Sequence, residues 1–281
     1  MGIIGVQRKI HNITLVVYID KDLYVKNLRL FNCLFSTFIP CDPLAKYGNA
    51  MFILSPKNEL ITDQRIQHKI ICDTSDKSWG LHLISSLEDW YADTLKCTII
   101  HGSCVLLNNK SILMIGKRKS GKTTLTGYLT ILKNATYLDD DCIYIICNKY
   151  VGFNMPISVR DNADVLNKDN MVGEFIDGEK ISRKLFICNR IIKETPKINV
   201  IIFPTFNNEG INRILPIKKG ELYREILANI RHSNDPKTIF TDISNLIKTS
   251  QAYRISYTNS ESAFQLIKSI IKYGGYCEIH N

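Results

Sequence analysis

Residues 112–125 read Ile-Leu-Met-Ile-Gly-Lys-Arg-Lys-Ser-Gly-Lys-Thr-Thr-Leu. An apolar run leads into Gly116, Lys117, Arg118, Lys119, Ser120, Gly121, Lys122 and Thr123, spelled G-x-x-x-x-G-K-T; a helix-compatible segment leaves it, and these eight residues with Thr124 are the candidate nucleotide-binding set. Glycines let the backbone curl so that successive N–H groups converge on phosphate oxygens. The helix that follows adds its own free N–H groups and the positive end of its dipole. At this spacing Lys122 reaches the outer phosphates of a nucleotide and the Thr123 hydroxyl ligates a magnesium ion. ATP or GTP with Mg is the expected cofactor set, and a basic surface turn is the alternative. Lys117, Arg118 and Lys119 either clamp phosphates or point into solvent, since only the loop backbone must face the nucleotide.

A second chemical cluster, Asp139-Asp140-Asp141, begins 17 positions after Lys122. The run around it, 136–146, is apolar on both sides of the acids. Burying unpaired carboxylates is costly, so a cation should compensate them. A magnesium ion held by the nucleotide serves; the other reading is a polar turn between two strands. The interval holds one helix and a return to the sheet, which brings a metal-binding acid on a neighbouring strand to the same phosphates.

The elements that must position these groups follow from periodicity. Residues 98–100 form a strand, and 105–107 and 111–115 form a hairpin around a turn at Asn108-Asn109. The loop follows, then a helix over 122–132 ended by Asn134-Ala135. Leu83, Ile84, Leu87, Trp90 and Tyr91 repeat at helical spacing and place a helix over 81–95, with Trp90 and Tyr91 on its apolar, core-facing side. Residues 1–80 read as a small β-rich region with strands at 14–19, 51–54 and 69–72 and an apolar run at 31–39. That region carries no catalytic pattern and is either a substrate-recognition module or a packing or dimerisation layer. Residues 81–281 form the second unit.

Later in the chain, the polar stretch 162–180 is either a lid or a surface excursion. A helix over 222–230 shows Leu222, Ile226, Leu227 and Ile230 on one face, with Arg224 and Arg231 nearby and no role assigned to them. An amphipathic helix over 260–273 packs on the core.

The 281 residues are 45% apolar and 22% charged, as in a globular protein. No apolar run approaches the ~20 residues of a membrane span, and the N-terminus lacks a secretory signal. The nine cysteines show neither C-x-x-C nor zinc-ligand spacing, which suits reduced thiols and a cytoplasmic location. A net charge of +9 favours an anionic partner. Because the basic residues are dispersed outside the loop, nucleic acid is not the expected ligand.

The order of these motifs resembles HPr kinase/phosphorylase and the wider set of HPr kinase-related proteins, including peptide kinases of modified-peptide biosynthesis. His101-Gly102, the loop at 116–123, the acids at 139–141, Met155-Pro156-Ile157-Ser158-Val159-Arg160, the strand at 200–204 and the strand at 252–257 arrive in family order over roughly residues 80–275. The resemblance implies an α/β phosphate-loop domain of the HPr kinase / phosphoenolpyruvate carboxykinase type with a mixed sheet, here with the small β-rich N-terminal region added. It implies phosphoryl transfer from a nucleoside triphosphate to a serine hydroxyl of a peptide or small protein. By position, Asp140 is the base, Asp141 holds magnesium with Thr123, His101 sits beside the phosphates, and Arg160 binds phosphate or the acceptor. Asp139 competes for either acidic role. Ser158 stands where the family's metal-supporting glutamate is expected, and the glycine-rich segment tied to phosphorylase activity has no counterpart, so neither HPr as substrate nor dephosphorylation is implied. The family self-assembles, which leaves a homo-oligomer open here. A small-molecule kinase, or a nucleotide-binding module without turnover, stays open on the same residues.

Overall fold

The structure, a computed structural model, describes residues 2–10, 13–41, 49–54, 66–117, 119–152, 155–160, 171–177, 181–186, 195–207, 210–232 and 235–274. The chain divides into two compact units: Met1–Leu95 with Phe153–Asn162 and Asp169–Ile187, and Lys96–Gly152 with Ala163–Lys168 and Cys188–Asn281. The sequence boundary after residue 80 falls inside the first unit, near the start of a helix (Trp79–Leu95).

In the first unit β1 (Ile3–Ile10) and β2 (Ile13–Asp20) pair antiparallel. The helix α1 (Lys21–Lys26) follows, capped by Asp20, whose carboxylate accepts from the Leu23 N–H at 2.9 Å. The apolar run at 31–39 is divided. Its first part belongs to α2 (Leu28–Leu34), which buries Leu30, Phe31, Cys33 and Leu34, and its end opens β3 (Ile39–Cys41), an edge strand that tolerates Pro40. With β4 (Asn49–Leu54) and β5 (Ile66–Ile71) the sheet order is β3-β1-β2-β4-β5. The helix α3 (Trp79–Leu95) buries Leu83, Leu87, Trp90 and Tyr91, the periodic apolar face expected of it.

The second unit opens with a hairpin. β6 (Thr98–Leu107) and β7 (Lys110–Ile115) pair antiparallel across Asn108 and Asn109, whose φ values of 49° and 61° make the tight turn that asparagine tolerates. After the glycine loop come α4 (Lys122–Leu132), β8 (Thr136–Ile146) and the short β9 (Lys149–Tyr150).

The next three strands, β10 (Ile157–Arg160), β11 (Met171–Asp177) and β12 (Ile181–Phe186), belong to the first unit and form an antiparallel sheet in the order β10-β12-β11. Phe175 of β11 lies against Gly80 of α3, where an added Cβ would come within 2.2 Å of its ring. Trp79 meets the same ring edge-on at 5.5 Å. Within the polar stretch 162–180, β11 is the described part; the rest of the lid expectation lies outside the described residues.

The second unit is completed by β13 (Ile198–Phe206), β14 (Arg213–Pro216), α5 (Lys219–Leu227), β15 (Ile230–His232), α6 (Pro236–Thr249), β16 (Gln251–Tyr257) and α7 (Ser260–Tyr273). Its sheet runs β14-β16-β13-β7-β6-β8-β9, with β15 beside β6. It is mixed: β7, β13 and β16 are parallel neighbours, while β6 opposes both β7 and β8. Both faces are covered, which is why β7 and β13 read as continuous apolar runs. Alternate residues divide between the faces. Leu113, Ile115, Ile201 and Phe203 pack with Leu222, Ile226, Ile243 and Leu246 of α5 and α6. Ile112, Met114, Val200 and Ile202 pack with Leu125 and Leu129 of α4 and with Leu266 and Ile270 of α7. Leu227, expected on the buried face of its helix, is 41% exposed, because five positions at 3.6 residues per turn carry it about 140° round the helix from the buried Leu222. No helix among the described residues is long and apolar enough to cross a membrane.

Candidate functional site

Strand β7 delivers the chain into the loop 116–121, and α4 takes it away. Gly121 is the helix N-cap with φ 92°, a left-handed conformation that favours glycine. Having no side chain, it leaves the first-turn N–H groups of α4 for an external acceptor. Lys119 is also left-handed (φ 70°), and the Ser120 N–H donates to Lys117 O at 3.1 Å, which closes the curl. The Tyr257 hydroxyl donates to Ser120 O at 3.3 Å. A Cβ on Gly121 would sit 2.2 Å from that hydroxyl, so conformation and contact both demand glycine there. The Lys122 ammonium folds back over the loop and donates to Gly116 O (2.7 Å) and Lys117 O (3.1 Å). Burial lowers the proton affinity of Lys122, and Asp140 and Asp141 oppose that. Among the described residues the buried Ser120 Oγ finds no hydrogen-bond partner. Lys117, Lys119 and Thr124 are exposed, and Arg118 lies outside the described residues.

The acids reach the loop through strand register. Gly102 on β6 is opposite Ile115 on β7 and Asp141 on β8, so three strands are level where the loop begins. A Cβ on Gly102 would lie 2.6 Å from Met114 O; the glycine permits the close strand approach at this level. The strand is continuous through the acids, which leaves no polar turn between two strands, and Asp141 lies in it with φ 75°. Left-handed backbone is uncommon outside glycine, and aspartate is among the residues that tolerate it.

The three carboxylates have different surroundings. Asp139 is fully buried; its Oδ2 shares the Tyr150 hydroxyl (3.0 Å) with Leu138 O (2.8 Å), and its Oδ1 accepts from the Asp140 N–H at 3.1 Å. Gly152 makes room for this pair, since a Cβ there would meet Tyr150 Oη at 2.5 Å and Asp139 Oδ2 at 2.6 Å. Asp140, 5% exposed, accepts from the Thr123 hydroxyl and lies in the field of Lys122. Burial, then the neighbouring Asp141, push its carboxyl up to about 7, against the pull of Thr123 and Lys122. Asp141 is the accessible acid, with 45% of its side chain exposed.

His101 stands beside them. Its Nδ1 is 3.2 Å from Asp141 O and 3.4 Å from Asp141 Oδ1. Burial and then Lys122 lower its proton affinity, partly offset by Asp141, which favours a neutral ring. With two acceptors facing Nδ1, the proton of that neutral ring belongs there, and Nε2 is left as an acceptor. Arg231, on β15, donates to Cys142 Sγ at 2.9 Å and adds positive potential at His101.

Thus His101, Gly116, Lys122, Thr123, Asp140 and Asp141 converge. Arg160 ends β10 in the first unit, and its side chain lies outside the described ones. Tyr150, Gly152 and Tyr257 were not legible beforehand, because each is tied to the site by contacts that no local spacing encodes. For Arg231 only its place after an amphipathic helix hinted at it.

No family model and no curated protein matches the chain. Among solved structures, the Hpr(Ser) kinase/phosphatase from Coxiella burnetii aligns with 63% of this chain and 95% of its own at 12% identity, with a TM-score of 0.27. A superposition that loose decides neither fold nor function.

Proposed function

We propose that the chain is a nucleoside-triphosphate- and magnesium-dependent phosphotransferase acting on a serine hydroxyl of a peptide or small protein. One observation carries the reading: strand register sets the acids level with the start of the glycine loop, where the buried Asp140 carboxylate is hydrogen-bonded to Thr123, the residue after the loop lysine. A base matched to neutral pH then stands beside a cradle of main-chain N–H groups.

In this reading the loop and the first turn of α4 hold the phosphates, and Lys122 exchanges its bonds to Gly116 O and Lys117 O for phosphate oxygens. The Ser120 hydroxyl gains the partner it lacks. Thr123 Oγ and Asp141 are hard oxygen donors of the kind magnesium takes alongside phosphates and water. When bound, the ion neutralises charge on the transferring phosphates. Asp140 takes the proton of the acceptor hydroxyl, whose oxygen bonds to the terminal phosphorus as the bond to the bridging oxygen breaks. The nucleoside diphosphate leaves with that electron pair. His101, neutral, borders the phosphates without adding charge, and Asp139 holds the acidic strand in place through Tyr150.

Incubation with terminally labelled ATP, magnesium and serine-bearing peptides tests this. Label should move to serine, the Asp140→Ala variant should lose transfer while keeping nucleotide affinity, and Lys122→Ala should weaken affinity itself. Nucleotide binding with no transfer to any peptide or protein acceptor would refute the proposal.

A further inference from the structure

The parallel strands β7, β13 and β16 end along one edge of the second unit's sheet, the edge where ligands gather in open α/β sheets. β7 ends in the glycine loop. β16 ends on Tyr257, whose ring is buried and whose hydroxyl is bonded to Ser120 O of that loop. β13 ends on Phe206, the register partner of Tyr257. The two rings meet edge to face, 5.9 Å between centroids at 73°.

Phe206 differs from the residues that precede it. Val200, Ile201, Ile202, Phe203 and Pro204 are buried, whereas Phe206 is 52% exposed. In register Ile202 faces Met114, so Phe206 stands four positions beyond that level and overhangs the edge where the loop turns away. Its ring is backed by a second ring whose hydroxyl is fixed to the loop, and Gly121 gives that hydroxyl its room. An aromatic face so held, beside a ring whose hydroxyl is bonded to the loop, is suited to a flat π-system attached to the phosphates.

We infer that Phe206, backed by Tyr257, is the stacking platform for the base of the nucleotide. The inference rests on the nucleotide reading of the loop and deepens it. Stacking uses the π-face common to all bases; the one hydroxyl of the pair is already bonded to Ser120 O, and Phe206 has no polar atom to read base edges, so the platform should accept adenine and guanine alike.

Calorimetric titration of the full chain with Mg-ATP, Mg-GTP and Mg-tripolyphosphate separates the two layers. Phe206→Ala should weaken ATP and GTP about 5- to 150-fold, the range expected for loss of one base–aromatic stack, and leave tripolyphosphate unchanged. Phe206→Trp should restore the nucleotide affinities, and Phe206→Leu, which keeps apolar bulk without a π-face, should not. Lys122→Ala should weaken all three ligands. Unchanged ATP affinity in Phe206→Ala, with tripolyphosphate still bound, overturns the platform and spares the loop. Equal losses for ATP and tripolyphosphate also overturn it, by making Phe206 a structural support. If Phe206→Ala changes only the oligomeric state, the ring faces a second copy of the chain and the inference fails. Wild-type protein that binds neither ATP nor tripolyphosphate refutes the loop reading and this one with it.

Discussion

Replacing Asp140 with asparagine keeps the shape of the side chain and removes its titration. In the ligand-free native protein this carboxyl protonates at about 7, against an ordinary value of 3.8 in the unfolded chain. Below the lower value both states hold the proton, and above the higher one neither does. Between them the native state holds it and the unfolded state does not, so stability falls as pH rises from about 4 to about 7. The gap is roughly three pH units at about 1.4 kcal/mol each, or about 4 kcal/mol of stability that wild type loses across the window. Other carboxylates titrate there too, so the informative quantity is a double difference. Asp140→Asn minus wild type, measured by denaturant or thermal unfolding at pH 8 and again at pH 4, should favour the variant by about 4 kcal/mol more at the higher pH. In melting temperature that is roughly 8 °C for a chain of this size. Parallel pH–stability curves for the two proteins would show that Asp140 is not a proton-retaining group and would remove its fitness as a base at neutral pH.

Gly102→Ala should cost about 1–3 kcal/mol by forcing β6 and β7 apart, since its Cβ would approach Met114 O to 2.6 Å; Gly220→Ala, which meets nothing within 4 Å, is the control, and equal melting temperatures for the two would contradict the packing account. Tyr150→Phe removes the hydroxyl that serves Asp139, so a loss of about 1–3 kcal/mol or more is expected, as for a buried acceptor left short of a donor; unfolding curves identical to wild type would disprove it. Gly121→Ala should weaken Mg-ATP binding, because it strains a left-handed position and pushes against the Tyr257 hydroxyl; undiminished affinity in titration would count against the loop geometry as the phosphate site.

Much of the second unit could be read locally. The Asn108-Asn109 turn, the glycine loop and the helix after it depend on neighbours a few positions apart, and backbone conformation at such distances follows residue type. The first unit was less legible: its apolar run at 31–39 carried no period that separates helix from strand, and its first part folds as α2. The acids show the same division at the site. Three consecutive aspartates announce a buried charge, but assigning each one a place required the register of β6, which sets Asp139 opposite Cys104 and Asp141 opposite Gly102.

Residue type and spacing alone determined a glycine-bounded loop that curls between strand and helix, the lysine and threonine at its end, and acids close enough in the chain to return to it. Tertiary structure decided which acid faces that loop, which is turned inward to Tyr150, and that an aromatic pair stands at the same edge. The hydrogen bond from Tyr257 to Ser120 spans 137 positions. Contacts of that range arise from strand pairing and close packing, which act through shape after the chain has folded, and no local pattern of residues carries them.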